Sequence, residues 1–142
     1  MAAYKYVIVG GGMTADAACR GIRDHDGEGA IGLFAAELIP EGTVVWKLHP
    51  LIDIELSTGD VERLAEPARQ QIRKYTYTDP VRGRLVLCGD DARFFNHEDD
   101  PNCRDLPDGN GGITVAARDI RAGEELTSDY ASFDADHVPY AK

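Results

Sequence analysis

Two stretches of this chain share one template, and no other feature limits its fold as much. FAAELIPEGTVV (34–45) and VAARDIRAGEEL (115–126) each run strand, two alanines, an isoleucine three places before a glycine, then a second strand. Each glycine can take the positive φ of a tight turn, which an L side chain resists. The template predicts two similar hairpin-like corners in one β-rich fold; independent convergence on the same turn chemistry is the alternative. A length of 142 residues allows one domain with a core of modest size.

Runs rich in β-branched and aromatic residues predict further strands at 4–9, 31–35, 43–48, 85–88, 113–117 and 126–130. Residues 51–56 read as extended, and KYTYT (74–78) alternates like a strand. Residues 13–26 read as a helix with Met13, Ala17, Ala18 and Ile22 on one face. Residues 57–75 read as a helix in two pieces, with Ser57 and Asp60 at capping-box spacing and Pro67 in the first turn of the second piece. Residues 106–112 read as a loop, and the tail from Ala131 as loosely held. The fold class expected is mainly β with short helices (α+β).

Twenty-five acidic residues against 15 basic ones leave a formal net charge of −10. Such a surface repels nucleic acid, whose phosphates need a surplus of Lys and Arg. It attracts a basic partner such as a Lys- or Arg-rich peptide, although acidity also serves plain solubility. No apolar run is long enough to span a bilayer, and the opening MAAYKYVIVGGG lacks the basic region of a secretory signal. Cys19, Cys88 and Cys103 have no framework spacing and read as reduced thiols. A cytoplasmic protein with no membrane partner is the expectation.

The N-terminal stretch VGGGMTADAA places Gly10, Gly12 and Ala15 between a predicted strand and a predicted helix. Glycines there let a pyrophosphate approach unpaired N–H groups at a helix N-terminus, and Glu37 ends the next strand where an acid could hold a ribose hydroxyl. Residues 1–37 resemble the first β-α-β unit of FAD-dependent oxidoreductases of the ferredoxin-reductase type. A dinucleotide site lies at a switch point between strands on both sides. The rest of the chain shows no further alternation of parallel strands and helices, so an isoalloxazine ring would have no pocket. A flavin- or nicotinamide-linked oxidoreductase fragment is therefore the alternative function rather than the first.

The densest chemistry lies in RFFNHEDDPNC (93–103). Zinc wants four ligands, usually in close pairs, whereas Cys88, His97 and Cys103 stand singly. The Asp99–Asp100 pair lacks the alternating oxygen ligands of a calcium loop, so no metal is expected. A solvated acidic turn closed by Pro101 accounts for the acids, but not for Arg93, Phe94, Phe95, Asn96 and His97 before them. The segment resembles the R-F-x-N-H-S-x-x-P-N motif of SET-domain protein-lysine methyltransferases. ARDIRAGEELTSDY (117–130) resembles that family's A-x-x-I-x-x-G-E-E-L-x-x-D-Y motif, and IGLFAAELIPEGTVV (31–45) its opening G-x-G-[LV]-F-A-x-x-x-I-x-x-G. The three occur in the family's order and cover roughly residues 30–133.

The resemblance implies a SET-like domain over 28–142, preceded by a Rossmann-like strand–helix segment over 1–27. It implies S-adenosyl-L-methionine as cofactor and a lysine of a basic protein or peptide as methyl acceptor. It places Asn96 and His97 at a bend against the cofactor, partly through backbone, with Arg93 and Phe95 supporting that bend. Ala30, Ile31 and Gly32 stand where the family has G-x-G, close to the cofactor. Tyr130 matches the catalytic tyrosine, Tyr75 a second channel tyrosine with Tyr77 as its competitor on the same strand face, and Phe133 an aromatic that stacks on adenine. Ser128 takes a position where the family often carries Phe or Tyr, leaving room for a methylated amine or a water. Ala30 adds a methyl where the family has hydrogen, at a cost of about 1 kcal/mol if its φ is positive. Weakened catalysis, or a SET-like module that binds peptide without turnover, is the reading that this departure raises. Both resemblances claim the strand at 31–35, which is expected to serve the SET sheet alone.

Overall fold

The computed structural model describes residues 6–9, 21–22, 31–106 and 112–137, the side chains of 6–9 excepted. Short strands dominate it. β1 (Tyr6–Val9) lies parallel to β2 (Ile31–Phe34). β3 (Val44–Lys47), β9 (Ile113–Ala116) and β8 (Cys103–Leu106) form an antiparallel sheet with β9 in the middle. β4 (Ile54–Leu56), β6 (Leu85–Leu87) and β5 (Thr76–Thr78) form another with β6 in the middle. β7 (Asn96–His97) and β10 (Thr127–Ser128) are a parallel pair of two residues each.

Local chemistry shapes the helical pieces as the sequence predicts. Helix α1 (Thr58–Glu62) starts at Ser57, whose hydroxyl accepts from Asp60 N (3.1 Å) while Asp60 Oδ2 accepts from Ser57 N (3.0 Å). That reciprocal pair satisfies two of the N–H groups a helix start leaves open. Helix α2 (Glu66–Tyr75) has its proline in the first turn. Arg69 of α2 donates to the carbonyls of Glu62 (3.1 Å) and Leu64 (3.0 Å), tying the second helix to the end of the first.

The two echoed corners clasp each other. Ile39 and Ile120 exchange both backbone bonds at 2.9 Å. Gly42 N donates to Ala116 O (2.9 Å) on one side, and Gly123 N donates to Ala35 O (2.8 Å) on the other. These are equivalent positions of the repeated template, so the contact has an approximate twofold character. Gly42 has φ +80° and Gly123 φ +82°, the left-handed region in which both corners turn. Ala35, Ala116 and Ile120 are buried here with Phe95, Cys103 and Leu126, and Leu33, Ile39 and Val45 pack against them. The paired alanines fit this site because the backbones cross within hydrogen-bond distance, leaving space for little more than a methyl.

Several expectations change. Tyr75 is the last residue of α2 and not part of a strand; the helix keeps its bonding to the end, and the cap N–H of Thr76 returns to Ile72 O. Tyr75 and Tyr77 therefore do not share a strand face. The strand expected at 126–130 is only Thr127–Ser128, because Asp129 caps a 3₁₀ turn at Tyr130–Ser132. Residues 51–53 turn, Asp53 N and Ile52 N both donating to His49 O (2.9 Å), and only 54–56 are extended. β8 was hidden by its charged residues Arg104 and Asp105. The strand at 31–34 serves two partners: β1 runs along one edge, and on the other Leu126 N donates to Leu33 O (2.8 Å) and Ala35 N to Glu124 O (2.9 Å). The tail is held as far as His137: Ala135 N donates to Thr78 O (2.8 Å), Thr78 N to Asp134 Oδ1 (2.9 Å) and Thr78 Oγ1 to Asp136 Oδ2 (2.6 Å). The helix expected over 13–26 lies outside the described residues except for Gly21 and Ile22, which are helical. The loop residues 107–111 and the end of the tail lie outside them as well.

Ile120 is fully buried at the clasp, so Ile120→Ala is expected to cost about 2–5 kcal/mol. Leu51→Ala, at a residue 89% exposed, is expected to stay within about 0.5 kcal/mol. Urea midpoints at unchanged slope provide the check.

Candidate active site

The cluster at 93–103 is built around two asparagines that lock one strand. Asn96 Nδ2 donates to Ile31 O (2.9 Å) and to Glu125 Oε1 (2.7 Å), joining β2 to the second corner. Asn102, 4% exposed, donates from Nδ2 to Glu125 O (2.7 Å) and accepts at Oδ1 from Thr127 N (3.0 Å). A side-chain amide carries donor and acceptor together, so it can stand in for a neighbouring strand. Gly32 belongs to the same arrangement. A Cβ there would sit 2.8 Å from both Glu125 Oε1 and the Phe34 ring, so the carboxylate that Asn96 grips occupies the space a side chain would need. Neither Glu125 nor Asn102 stood out in the sequence, although both lie inside motifs quoted above.

Locking this strand places Tyr130 just beyond it. Tyr130 N donates to His97 Nδ1 (3.2 Å), and the other ring nitrogen, Nε2, faces Asp99 Oδ1 at 3.6 Å. The Tyr130 hydroxyl donates to the Phe95 carbonyl. Rings surround the phenol: His97 at 5.4 Å between centroids, His137 at 5.6 Å and Phe133 at 5.7 Å. His97 and Tyr130 are thus in contact through backbone and rings, while Asn96 pairs with Thr127 in the adjoining strand.

A cavity of about 480 Å³ opens in front of the phenol, within the usual range for small-ligand sites. Of the residues singled out from sequence, Tyr75, Tyr77, Arg93, Phe95, Ser128, Tyr130 and Phe133 line it. Ile31, Gly32, Asn96 and His97 stand behind this wall instead, Ile31 packing with Phe94 in a small apolar cluster. Tyr75 meets Phe94 edge-on at 6.2 Å, and Tyr77 meets Phe133 edge-on at 5.1 Å. The Arg93 guanidinium lies over the Phe94 ring at 5.0 Å. Ala30 lies outside the described residues. Trp46 and Asp105 also line the cavity and escaped the sequence reading, because a strand tryptophan and a strand aspartate carry no motif.

Burial pushes the Tyr77 phenol well above its usual value, so it stays protonated. Burial also moves the Asp105 carboxyl upward, with Asp129 adding to the effect and the Thr114 and Ser132 hydroxyls opposing it. Burial holds the Cys103 thiol up at about 11 and raises Cys88 as well, and both thiols are free. Ser128 Oγ and Trp46 Nε1 are buried with no hydrogen-bond partner among the described residues. No group of three or more metal-ligating side chains occurs among the described residues, and none of the described helices is long and apolar enough to cross a membrane.

The SET domain profile matches residues 30–131, and the chain belongs to the SET domain family. Among solved structures, a Plasmodium falciparum protein titled as a candidate histone methyltransferase is 18% identical, with a TM-score of 0.48 over 70% of this chain and 82% of its own. The Neurospora SET domain protein DIM-5, a histone lysine methyltransferase, is also 18% identical, with a TM-score of 0.46 over 80% of this chain and 56% of its own. No curated protein matches the chain. The flavoprotein resemblance of residues 1–37 finds no support in these comparisons, and the matched family claims the chain from residue 30 onward.

Asn96→Asp replaces a donor with a carboxylate beside Glu125 and the Ile31 carbonyl. The expected loss is about 1–3 kcal/mol of stability, the range for half-buried hydrogen bonds left without their donor. Adding Glu125→Gln restores a donor to the pair and is expected to recover part of that loss in a double-mutant cycle read by urea denaturation.

Proposed function

We propose that this chain transfers a methyl group from S-adenosyl-L-methionine to a lysine side chain of a basic protein or peptide. The observation that carries the reading is the Tyr130 phenol, bonded to the Phe95 carbonyl at the wall of an aromatic cavity and seated on His97 through its own backbone. Oxygens and ring faces are what a sulfonium accepts, and Ser128 Oγ adds a buried oxygen without a partner among the described residues. The residues present therefore fit this cofactor.

When bound, the cofactor supplies an electrophilic methyl on a positively charged sulfur. Asn96 and His97 would hold it at their bend, through backbone because the Asn96 amide is committed to Ile31 and Glu125. Arg93, Phe95 and the Ala30–Gly32 edge would complete that side, with Phe133 as the aromatic partner. Tyr130 orients the amine, and Tyr75, Tyr77 and Ser128 line its channel. The lysine must react neutral, against a reference pKa of about 10.4. Burial among these rings, next to a like charge, lowers that value and favours the free amine, so no dedicated base is required. Ser128 leaves room beside the amine for a methyl group already present. The net charge of −10 draws basic chains toward the site.

Calorimetry with S-adenosyl-L-methionine is expected to register binding; no heat at high protein concentration overturns the reading. Labelled methyl transfer to histone or other basic peptides is expected to fall roughly 10²-fold in Tyr130→Phe, the scale of a misplaced reactant. Peptide binding with no transfer under any condition would mark a SET-like binding module instead.

A further inference from the structure

One carboxylate on the cavity wall has no ion pair among the described residues. Three aspartates line the cavity, and two are committed: Asp79 pairs with Arg82 (2.8 Å), and Asp134 accepts from Thr78 N (2.9 Å). The third is Asp105. It accepts from the neutral hydroxyl of Thr114 (Oγ1, 2.6 Å), and Ser132 Oγ lies at 3.2 Å with its one hydrogen shared with the nearer Asp129 carbonyl (2.7 Å). Ser132 closes the 3₁₀ turn that begins at Tyr130, so Asp105 is tied to the element that carries the phenol. Asp129 and Asp105 lie near enough to act on each other, and the Asp105 charge reaches the Tyr77 phenol. Lys74, Arg82 and Arg93 also line the cavity, but none of the described Lys or Arg residues forms an ion pair with Asp105, and a half-buried carboxylate beside another acid is costly to keep unless a cation arrives. The rings at this end are Tyr77, Phe133 and Tyr130, Phe133 standing edge-on to Tyr77 at 5.1 Å and to Tyr130 at 5.7 Å. Rings and a carboxylate around one cavity suit an alkylammonium, which takes charge from the acid and dispersion and quadrupole attraction from the rings.

We infer that Asp105, with the Tyr77, Phe133 and Tyr130 rings, is the anchor that receives the lysine side chain on entry, in its protonated form; the amine loses that proton to water before it moves on to Tyr130 and reacts neutral. This rests on the lysine reading above and adds the residue that selects a cationic substrate. Asp105 is a specificity-determining residue, and Tyr130 remains the group that orients the amine.

Trp46 is the chain's single tryptophan and lines the same cavity, so its fluorescence reports occupancy without cofactor or turnover. The probe is n-butylammonium chloride, with 1-butanol as neutral isostere and sodium chloride as ionic-strength control. A saturable change with the ammonium alone is expected. Its dissociation constant should rise about tenfold or more in Asp105→Asn, whose carbonyl can still accept from Thr114 while its amide faces the Ser132 hydroxyl as a donor, and should stay near wild type in Asp105→Glu. Should Asp105→Asn fail to fold, Phe133→Leu is the second variant and must also weaken the ammonium response. Equal responses to ammonium and alcohol, an unchanged constant in folded Asp105→Asn, or an unchanged constant in Phe133→Leu where Asp105→Asn does not fold, overturn the inference. The titration stands if methyl transfer is never found. Conversely, transfer that survives Asp105→Asn with unchanged KM removes the anchor and leaves the methyltransferase reading in place.

Discussion

The antiparallel exchange between Ile39 and Ile120 is the contact on which the rest of the structure depends. It pins two turns that are far apart in sequence back to back, each closed by a glycine in the left-handed region. With the corners fixed, the strand leaving the second one has a single course. Leu126 bonds to Leu33 on one side, and Thr127 and Ser128 pair with Asn96 and His97 on the other. Tyr130 is the next residue able to leave the sheet, and it emerges over His97. The position of the phenol is thus inherited from a clasp at the far end of its own strand.

Side-chain amides finish what short strands cannot. A two-residue strand pair has too few backbone bonds to fix its own register. Asn96 and Asn102 supply the missing ones, gripping the carboxylate and carbonyl of Glu125 and the N–H of Thr127. Asn102 is buried, Asn96, Glu125 and Thr127 are half-buried, and all are bonded, so they rigidify the strand pair that leads to Tyr130. The residues that line the cavity carry the groups left over among the described residues: a buried hydroxyl and indole N–H with no partner, and a carboxylate with no ion pair. A rigid strand pair beside unsatisfied walls is the division of labour expected of a binding site.

Much of this was legible in the sequence for local reasons. The repeated corner, the capping box at Ser57, the proline of the second helix and most strands depend on turn chemistry and side-chain pattern within about ten residues. The three motifs led to Asn96, His97 and Tyr130 as members of one site. The misses have one cause. Tyr75 was drawn into a strand because alternation in KYTYT looks alike whether a helix ends at its second residue or not. β8 was overlooked because Asp105 points its charge into a cavity that only the packed fold creates. The tail looked loose because nothing in ASFDADH announces that Thr78 will present a free strand edge to it.

The amino-acid sequence by itself determined the corners, the turn glycines, the helix caps and the family to which the chain belongs, since each is written in residues close together. The tertiary structure alone decided that Asn96 spends its amide on Ile31 and Glu125, that Gly32 lies under a carboxylate, and that Asp105 faces the same cavity as Tyr130. Those facts depend on which distant backbones meet, and the buried pairing of one isoleucine with another settles that.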